Sequence, residues 1–213
     1  MQDKLNNILL YGGAFDPPHR GHLECLKLAL DSNFFDKIIL VPTHQERYDR
    51  YVLGDKENRK ELLRIFLEEN FSAKNYLAEN KLEISYVQID NIIDKSSATI
   101  DLVNYYKKIF IDSNFGFLIG SDNLSGLSQW RSCEELFSLV TFYCVERKNF
   151  PIIKDKLKKN IKIKFLGSQN FNPNDFSSSK VRELCMSKNS HVLETLVTPK
   201  VAKYLIEKAL YLT

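Results

Sequence analysis

One run of eleven residues carries the residue types and the spacing for chemistry on a phosphate group. Residues 12–22 read G-G-A-F-D-P-P-H-R-G-H, between a predicted strand (8–11) and a predicted helix (23–30). Backbone amides and the helix dipole at such a turn favour an anion, and glycines let a phosphate approach the main chain. His19 and His22 are three residues apart in the first helical turn, so both imidazoles project toward one side. The run predicts a phosphate site with two imidazoles, which suggests chemistry on a nucleotide.

The same run resembles the signature of the HxGH nucleotidyltransferases. In detail it is similar to the G-G-x-F-D-P-x-H-x-G-H of bacterial nicotinate mononucleotide adenylyltransferases, and every fixed position is present. The resemblance implies that His19 binds the phosphates of ATP and that His22 contacts the α-phosphate in the transition state. It also implies an ATP-binding set made of Gly12, Gly13, Ala14, Phe15, Asp16 and Gly21.

A second segment near the end of the chain adds hydroxyls and an arginine. Residues 176–182, F-S-S-S-K-V-R, resemble the C-terminal I-S-S-T-x-I-R of the same family. Serine hydroxyls and free amides at a helix start form a phosphate site, and an arginine one turn later can grip phosphate oxygens. The resemblance implies that Ser178 and Ser179 bind ATP and that Arg182 is catalytic, holding the β- and γ-phosphates. From the residues alone, a serine cap on a helix also accounts for the segment.

A third segment, residues 120–130, is similar to the family's G-x-D-x-L-x-x-L-P-x-W, with Ser128 in place of the proline. The resemblance places Gly120 and Asp122 near ATP and Trp130 beside the pyridine ring of a mononucleotide. A single tryptophan on a short helix is otherwise typical of core packing.

Residues 97–101, S-A-T-I-D, look like a weakened form of S-[YF]-T-x-D-T, which implies that Thr99 and Asp101 bind the mononucleotide. The alternative is a Ser/Thr cap on the helix that follows.

Strand-like apolar runs alternate with helix-like segments, which predicts a Rossmann-like, doubly wound parallel sheet flanked by helices. We expect one nucleotidyltransferase domain over residues 1–213, with C-terminal helices in about 177–213. The predicted strands after the first are 37–42, 82–89, 115–120, 139–145 and 161–165. The predicted later helices are 57–69, 100–110, 130–137, 178–187 and 199–210, with a loop at 121–123 and a Thr198 cap on the last helix. Ligands bind beyond the carboxyl ends of such strands, so Gly12, Thr43, Gly120 and Asp122 should converge there.

Composition and charge exclude several other classes of protein. The formal net charge of +3 gives no case for nucleic-acid binding, and no apolar stretch reaches the roughly 18 residues of a membrane helix. Four scattered cysteines without a C-x-x-C pair indicate reduced thiols in a cytoplasmic protein rather than zinc ligands. Residues 147–164 hold eight basic residues and one acid, which we interpret as a solvated lysine face with an edge strand, the alternative being a patch for an anionic ligand.

The resemblance implies adenylyl transfer from ATP to nicotinate mononucleotide, giving deamido-NAD and pyrophosphate. Mg²⁺ would arrive with ATP, and we name no metal-ligating residue. The alternatives are nicotinamide mononucleotide or phosphopantetheine as the acceptor, and a nucleotide-binding regulator without catalysis. The acceptor is least constrained at residues 43–48, T-H-Q-E-R-Y, which lack the family's usual P-P-H-K-like loop. His44 or Arg47 could replace that loop's function, and a plain surface loop is the other interpretation.

Overall fold

Strands and helices alternate along most of the chain in the computed structural model. It describes residues 7–46, 52–74, 76–94, 98–147, 160–167, 176–187 and 190–212. The strands are β1 (Asn7–Gly13), β2 (Lys37–Pro42), β3 (Leu82–Ile84), β4 (Asn114–Gly120), β5 (Val140–Val145) and β6 (Ile163–Leu166). The α-helices are α1 (Arg20–Asp31), α2 (Lys56–Phe71), α3 (Thr99–Ile109), α4 (Cys133–Leu139), α5 (Ser178–Met186), α6 (Ser190–Leu196) and α7 (Pro199–Glu207). Two 3₁₀ helices cover Ser72–Lys74 and Ser121–Gln129.

The described strands form one parallel sheet in the order β3-β2-β1-β4-β5-β6. From β1 the chain builds outward through β2 to β3, then returns and builds outward on the other side through β4 and β5 to β6. This is the doubly wound arrangement that the sequence predicts. The order reverses between β1 and β4, and ligands in such folds bind at the carboxyl ends of the strands on either side of that point.

Both faces of the sheet are covered, because its central strands are apolar on both sides. In β1, Leu9 packs on the face that α1, α2 and the helices α5 to α7 cover. Its neighbours Ile8 and Leu10 pack on the opposite face, against α3 and α4. This alternation fixes the register of β1 and therefore the direction in which its carboxyl end points.

Several boundaries differ from the predictions. The strand expected at 82–89 ends at Ile84, since a series of turns follows it, and α1 begins at Arg20, three residues before the predicted start. The expected loop 121–123 and the first part of the expected helix 130–137 were wrong, because residues 121–129 form the 3₁₀ helix and α4 begins only at Cys133. Helix α6 was not predicted. Thr198 precedes Pro199 as expected, but its hydroxyl makes no capping hydrogen bond.

Strand β6 is an edge strand of the sheet, as the lysine alternation predicts. In the described part of the chain, no helix is both long enough and apolar enough to cross a membrane. All four cysteines are free thiols. Residues 148–159 of the basic run, Arg47 and Tyr48 of the divergent loop, and Ser97 lie outside the described residues.

Candidate active site

A cavity of about 470 Å³ opens at the carboxyl ends of β1, β2 and β4. Its wall combines the turn after β1, the first residues of α3 and α5, and the residues after β2 and β5. Twelve of the predicted site residues line it: Gly12, Gly13, Ala14, Asp16, His19, His22, Thr99, Gly120, Trp130, Ser178, Ser179 and Arg182. The cavity therefore brings together segments from both ends of the sequence.

The two histidines form the N-terminal cap of α1 with their own side chains. His19 is the N-cap residue, and its Nδ1 accepts a hydrogen bond from the Gly21 backbone N–H at 3.1 Å. In return, Nδ1 of His22 accepts from the His19 backbone N–H at 3.1 Å. Since each Nδ1 is an acceptor, each neutral imidazole carries its proton on Nε2. Both rings thus offer an Nε2–H donor, on the side of the ring away from the helix start.

Gly21 makes this cap sterically possible. A Cβ at position 21 would stand 2.9 Å from the His19 ring and 3.0 Å from the Cβ of Phe176. The ring could then not fold back over the first turn of α1. The glycine of H-x-G-H thus positions His19, although Gly21 itself does not line the cavity.

Burial keeps both imidazoles uncharged. The burial of His19, whose exposed fraction is 4%, and then the positive charge of Arg147 lower its pKa from 6.5 to about 3. Burial, then His19 and Arg147, hold the pKa of His22 well below its usual value. The ring centroids of the pair are only 3.8 Å apart, so a second positive charge there would be costly. At neutral pH the pair therefore acts through hydrogen-bond donation.

The ring of Phe15 packs against the ring of His22. Phe15 is buried, with a positive φ of 46°, and its ring packs edge-on against His22 at 4.9 Å and against Tyr11 at 5.4 Å. Phe15 does not line the cavity, and its part in ATP binding stays a prediction.

The carboxylate of Asp16 is occupied by donors from the protein. Oδ1 accepts from the Gly54 N–H at 2.9 Å and from the Tyr211 hydroxyl at 2.6 Å, and Oδ2 accepts from the Leu53 N–H at 3.0 Å. The side chain of Asp16 therefore joins the turn after β1 to the segment before α2 and to the end of the chain. We name this set the Asp16 cluster.

The start of α5 is attached directly to the turn after β1. The hydroxyl of Ser178 donates to the Pro17 carbonyl at 2.9 Å, and Nη1 of Arg182 donates to the Asp16 carbonyl at 2.6 Å. Nη2 of Arg182 donates to the hydroxyl of Ser179 at 3.1 Å. Ser177 is the N-cap residue of α5, its hydroxyl accepting from the Lys180 N–H. The segment is thus a serine-capped helix and also part of the cavity wall.

On the other side of the cavity, Arg147 crosses from the end of β5 to the 3₁₀ helix. Its Nε lies 3.2 Å from Oδ1 of Asp122, and its backbone N–H donates to the hydroxyl of Ser121 at 2.7 Å. Asp122 does not line the cavity, but it holds Arg147, which does.

Trp130 supplies a flat apolar surface to the cavity. Its ring contacts Phe117 and Phe142 edge-on at 6.1 and 6.2 Å, so core packing and exposure to the cavity occur together.

Asp101, unlike Trp130, does not line the cavity. Its Oδ2 accepts from the Ala98 N–H at 2.7 Å and pairs with Arg131, and its side chain does not reach the cavity wall. The expected Ser/Thr cap was wrong, because Ala98 is the N-cap residue and the Asp101 carboxylate makes the capping bond, while Thr99 lines the cavity.

Comparison with known proteins agrees with this geometry. The cytidylyltransferase-like family model matches residues 10–184. A Campylobacter jejuni protein named "probable nicotinate-nucleotide adenylyltransferase" is 34% identical over 73% of this chain and 81% of its own length. The chain belongs to this family of nucleotidyltransferases.

Two further proteins are similar to this chain, one by sequence and one by structure. The Mycoplasma genitalium "probable nicotinate-nucleotide adenylyltransferase/Ap4A hydrolase" is 31% identical over 82% of this chain, which spans about half, 45%, of that relative. The Plasmodium falciparum nicotinic acid mononucleotide adenylyltransferase, solved in complex with NaAD, superposes with a TM-score of 0.82. It is 25% identical, and the match covers 97% of each chain.

The sequence did not predict the positions of two arginines at this site. Arg147 was assigned to a solvated face, and that was wrong: it lines the cavity and pairs with Asp122. Its position two residues after the end of a predicted strand was the available signal. Arg59 of α2 is fully buried, and it donates to the carbonyls of Ala14 at 3.1 Å and of Thr43 at 2.5 Å. It thereby ties together the ends of β1 and β2, and nothing in its sequence neighbourhood indicated this.

His44 also lines the cavity, on the segment that replaces the family's usual loop. Its Nδ1 accepts from the Glu46 N–H at 3.0 Å, so its ring is held by its own loop. This is consistent with the expectation that His44 contributes to the substrate site, whereas Arg47 lies outside the described residues.

Proposed function

We propose that this chain transfers the adenylyl group of ATP to nicotinate mononucleotide, producing deamido-NAD and pyrophosphate for NAD biosynthesis. The observation that carries the proposal is the pair of neutral imidazoles at the start of α1. Both line a cavity that also contains the serine hydroxyls and the arginine of α5. Such an arrangement suits a triphosphate, because it provides donors and positive charge without requiring a nucleophile from the protein.

In the proposed reaction, a 5′-phosphate oxygen of the mononucleotide attacks the α-phosphorus of ATP. The new P–O bond forms as the bond to the oxygen bridging the α- and β-phosphates breaks, and pyrophosphate leaves with that oxygen. Catalysis then consists of positioning and charge stabilisation. His22 donates Nε2–H to the α-phosphate as its charge rearranges, and His19 donates to the phosphates of bound ATP. Arg182, Ser178 and Ser179 hold the β- and γ-phosphates.

Arg147 adds positive charge on the opposite wall, beside Gly120. The main chain of the turn after β1, from Gly12 to Ala14, would face the nucleotide. The pyridine ring would lie against Trp130, with Thr99 at the same end of the cavity. The Plasmodium relative, with NaAD bound, supports a site that holds both halves of a dinucleotide.

The donor set fits Mg²⁺ that is carried by ATP. Within the described ranges, no three His, Cys, Asp or Glu side chains gather as a metal site. Near the cavity, the Asp16 carboxylate is occupied by three protein donors and Asp122 pairs with Arg147. Phosphate oxygens and water are the ligands that Mg²⁺ prefers at nucleotides, so we expect them to hold the ion. Bound in this way, the ion would neutralise charge on the triphosphate. We also infer that the protein works in the cytoplasm, where both substrates would be present.

The test is product formation by the purified protein with ATP and Mg²⁺. Nicotinate mononucleotide, nicotinamide mononucleotide and phosphopantetheine are supplied separately, and the products are resolved by chromatography. We expect deamido-NAD with nicotinate mononucleotide and little product with the other two. Preference for another acceptor would refute the substrate, and ATP binding without pyrophosphate release from any acceptor would favour a regulator.

A pair of variants on one helix tests the residue assignment. His22→Ala should lower kcat by at least about a hundredfold, because it removes a donor used in the transition state. Lys27→Ala, on the exposed side of the same helix, is the matched control and should leave kcat unchanged. Near-normal turnover by His22→Ala would remove His22 from this role.

A further inference from the structure

In the Asp16 cluster, the charged groups of Arg182 and Asp16 are close but do not form a hydrogen bond with each other. Nη1 of Arg182 lies 3.7 Å from Oδ2 of Asp16, beyond hydrogen-bond distance, yet it donates to the backbone carbonyl of the same residue at 2.6 Å. The carboxylate is instead filled by three uncharged donors: the N–H groups of Leu53 and Gly54 and the hydroxyl of Tyr211. The guanidinium thus remains beside a carboxylate without pairing closely with it.

Position 54 shows how closely these groups are packed. A Cβ on Gly54 would clash with Oδ1 of Asp16 and with the hydroxyl of Tyr211, and it would stand 3.1 Å from the side chain of Arg59. The φ of Gly54 is not in the left-handed region, so space and not backbone freedom demands glycine here. The cluster therefore depends on an empty volume into which the Tyr211 hydroxyl fits.

The backbone at the end of the chain is shaped to deliver that hydroxyl. Both Ala209 and Tyr211 adopt positive φ, 51° and 60°, a region that non-glycine residues seldom occupy. These two residues turn the chain after α7 so that the Tyr211 ring packs against the core beside the cavity. Unfavourable backbone geometry is retained where the surrounding contacts compensate for it.

We propose that Tyr211 is a positioning residue for the triphosphate end of the active site. By completing the donor set on Asp16, its hydroxyl keeps Arg182 on the Asp16 carbonyl, with guanidinium N–H groups left for phosphate oxygens. Without the hydroxyl, Oδ1 loses a donor, and Arg182, whose Nη1 lies 3.7 Å from Oδ2 of the same carboxylate, is a cation that can move onto it. A guanidinium paired with the carboxylate would bind ATP less well. The inference rests on the proposed function, in which Arg182 holds the phosphates of ATP.

The test compares two tyrosines of the C-terminal region. Tyr211→Phe removes the hydroxyl and keeps the ring. Tyr204→Phe is the matched control, because Tyr204 in α7 donates to Asn58 at 2.8 Å, away from the cavity. We expect Tyr211→Phe to weaken equilibrium binding of the non-reacting analogue α,β-methylene-ATP with Mg²⁺ by about tenfold, within the range of one hydrogen bond to a charged group. Tyr204→Phe should bind the analogue like the wild type. The KM for nicotinate mononucleotide should be unchanged in both.

A double variant separates positioning from general loosening of the fold. In an Arg182→Gln background, Tyr211→Phe should cause no further loss of analogue binding, since the group through which it acts is gone. An equal additional loss in that background, or unchanged analogue binding in Tyr211→Phe alone, would overturn the proposal.

The same measurements distinguish a failure of this proposal from a failure of the proposed function. If the wild type binds the analogue with the expected pattern but transfers no adenylyl group to nicotinate mononucleotide, only the function fails. If the wild type does not bind the analogue, both fail.

Discussion

The double variant His19→Asn with His22→Gln replaces both imidazoles by amides. It removes proton uptake at these two positions but keeps the hydrogen bonds that cap α1. Asn is among the best N-cap residues, and Gln at the third helical position completes a capping box. Amide oxygens can therefore accept the two backbone hydrogen bonds that the Nδ1 atoms accept now. The double variant should fold, but it cannot take up protons at these positions.

The pKa of His19, about 3 in the fold against 6.5 in the unfolded chain, sets the magnitude. Because the folded value is the lower one, the unfolded chain binds the proton first as the pH falls below 6.5. The contribution of His19 to the free energy of unfolding is therefore fully present above pH 6.5. It decreases progressively as the pH falls from 6.5 toward 3. One pKa unit corresponds to about 1.4 kcal/mol, so the loss at pH 5 is about 2 kcal/mol from His19 alone. His22 adds to it in the same direction.

The assay is urea unfolding of the wild type and of the double variant at pH 7.5 and pH 5.0. The other titrating groups are common to both proteins, so the difference between the two pH effects reports the histidines. The free energy of unfolding of the wild type should fall by at least about 2 kcal/mol more than that of the variant. If both proteins lost the same amount, the imidazoles would titrate normally in the fold. The assignment of neutral Nε2–H donors would then be wrong.

Three further predictions concern packing, substrate binding and thiol reactivity. Gly54→Ala should destabilise the fold by about 1–3 kcal/mol in urea unfolding, because the new methyl group clashes with the Asp16 carboxylate; an unchanged midpoint would contradict this packing. Trp130→Ala should raise the KM for nicotinate mononucleotide about tenfold or more and leave that for ATP unchanged, and steady-state kinetics showing equal changes in both would refute stacking. Cys133 should react first with iodoacetamide at pH 8, since it alone of the four thiols is not buried, while burial raises the pKa of Cys25 to about 11; mass spectrometry of peptides identifies the site.

The parts of the site that sequence analysis located are those whose chemistry lies in consecutive residues. The turn after β1 was found because its glycines and histidines are consecutive between a strand and a helix, and the start of α5 was found because serines at a helix start are a local signal. The parallel, doubly wound sheet followed from the alternation of elements. It placed Gly12 and Gly120 at one edge of the sheet, where the structure has them.

The parts that escaped depend on which strands become neighbours. Arg147 meets Asp122 only because β4 and β5 pair, which brings the residues that follow them together. Asp101 shows the converse: a motif match suggested a substrate contact, but the residue sits three positions after Ala98 and caps its helix locally. A carboxylate at the third helical position makes this bond by default, so the match did not discriminate between the two interpretations.

The end of the cavity between the turn after β1 and the start of α5 exists only after the two ends of the sequence meet. Its three fastening contacts join Ser178 to Pro17, Arg182 to Asp16 and Tyr211 to Asp16, across 161, 166 and 195 residues. Three hydrogen bonds would not by themselves repay the entropy of closing such long loops. The buried apolar faces of α5, α6 and α7 supply that free energy, because they pack on the same core as α1 and α2. The C-terminal segment therefore does two tasks at once: its apolar sides hold the chain ends together, and its polar residues Ser178, Arg182 and Tyr211 hydrogen-bond to the turn after β1 beside the cavity.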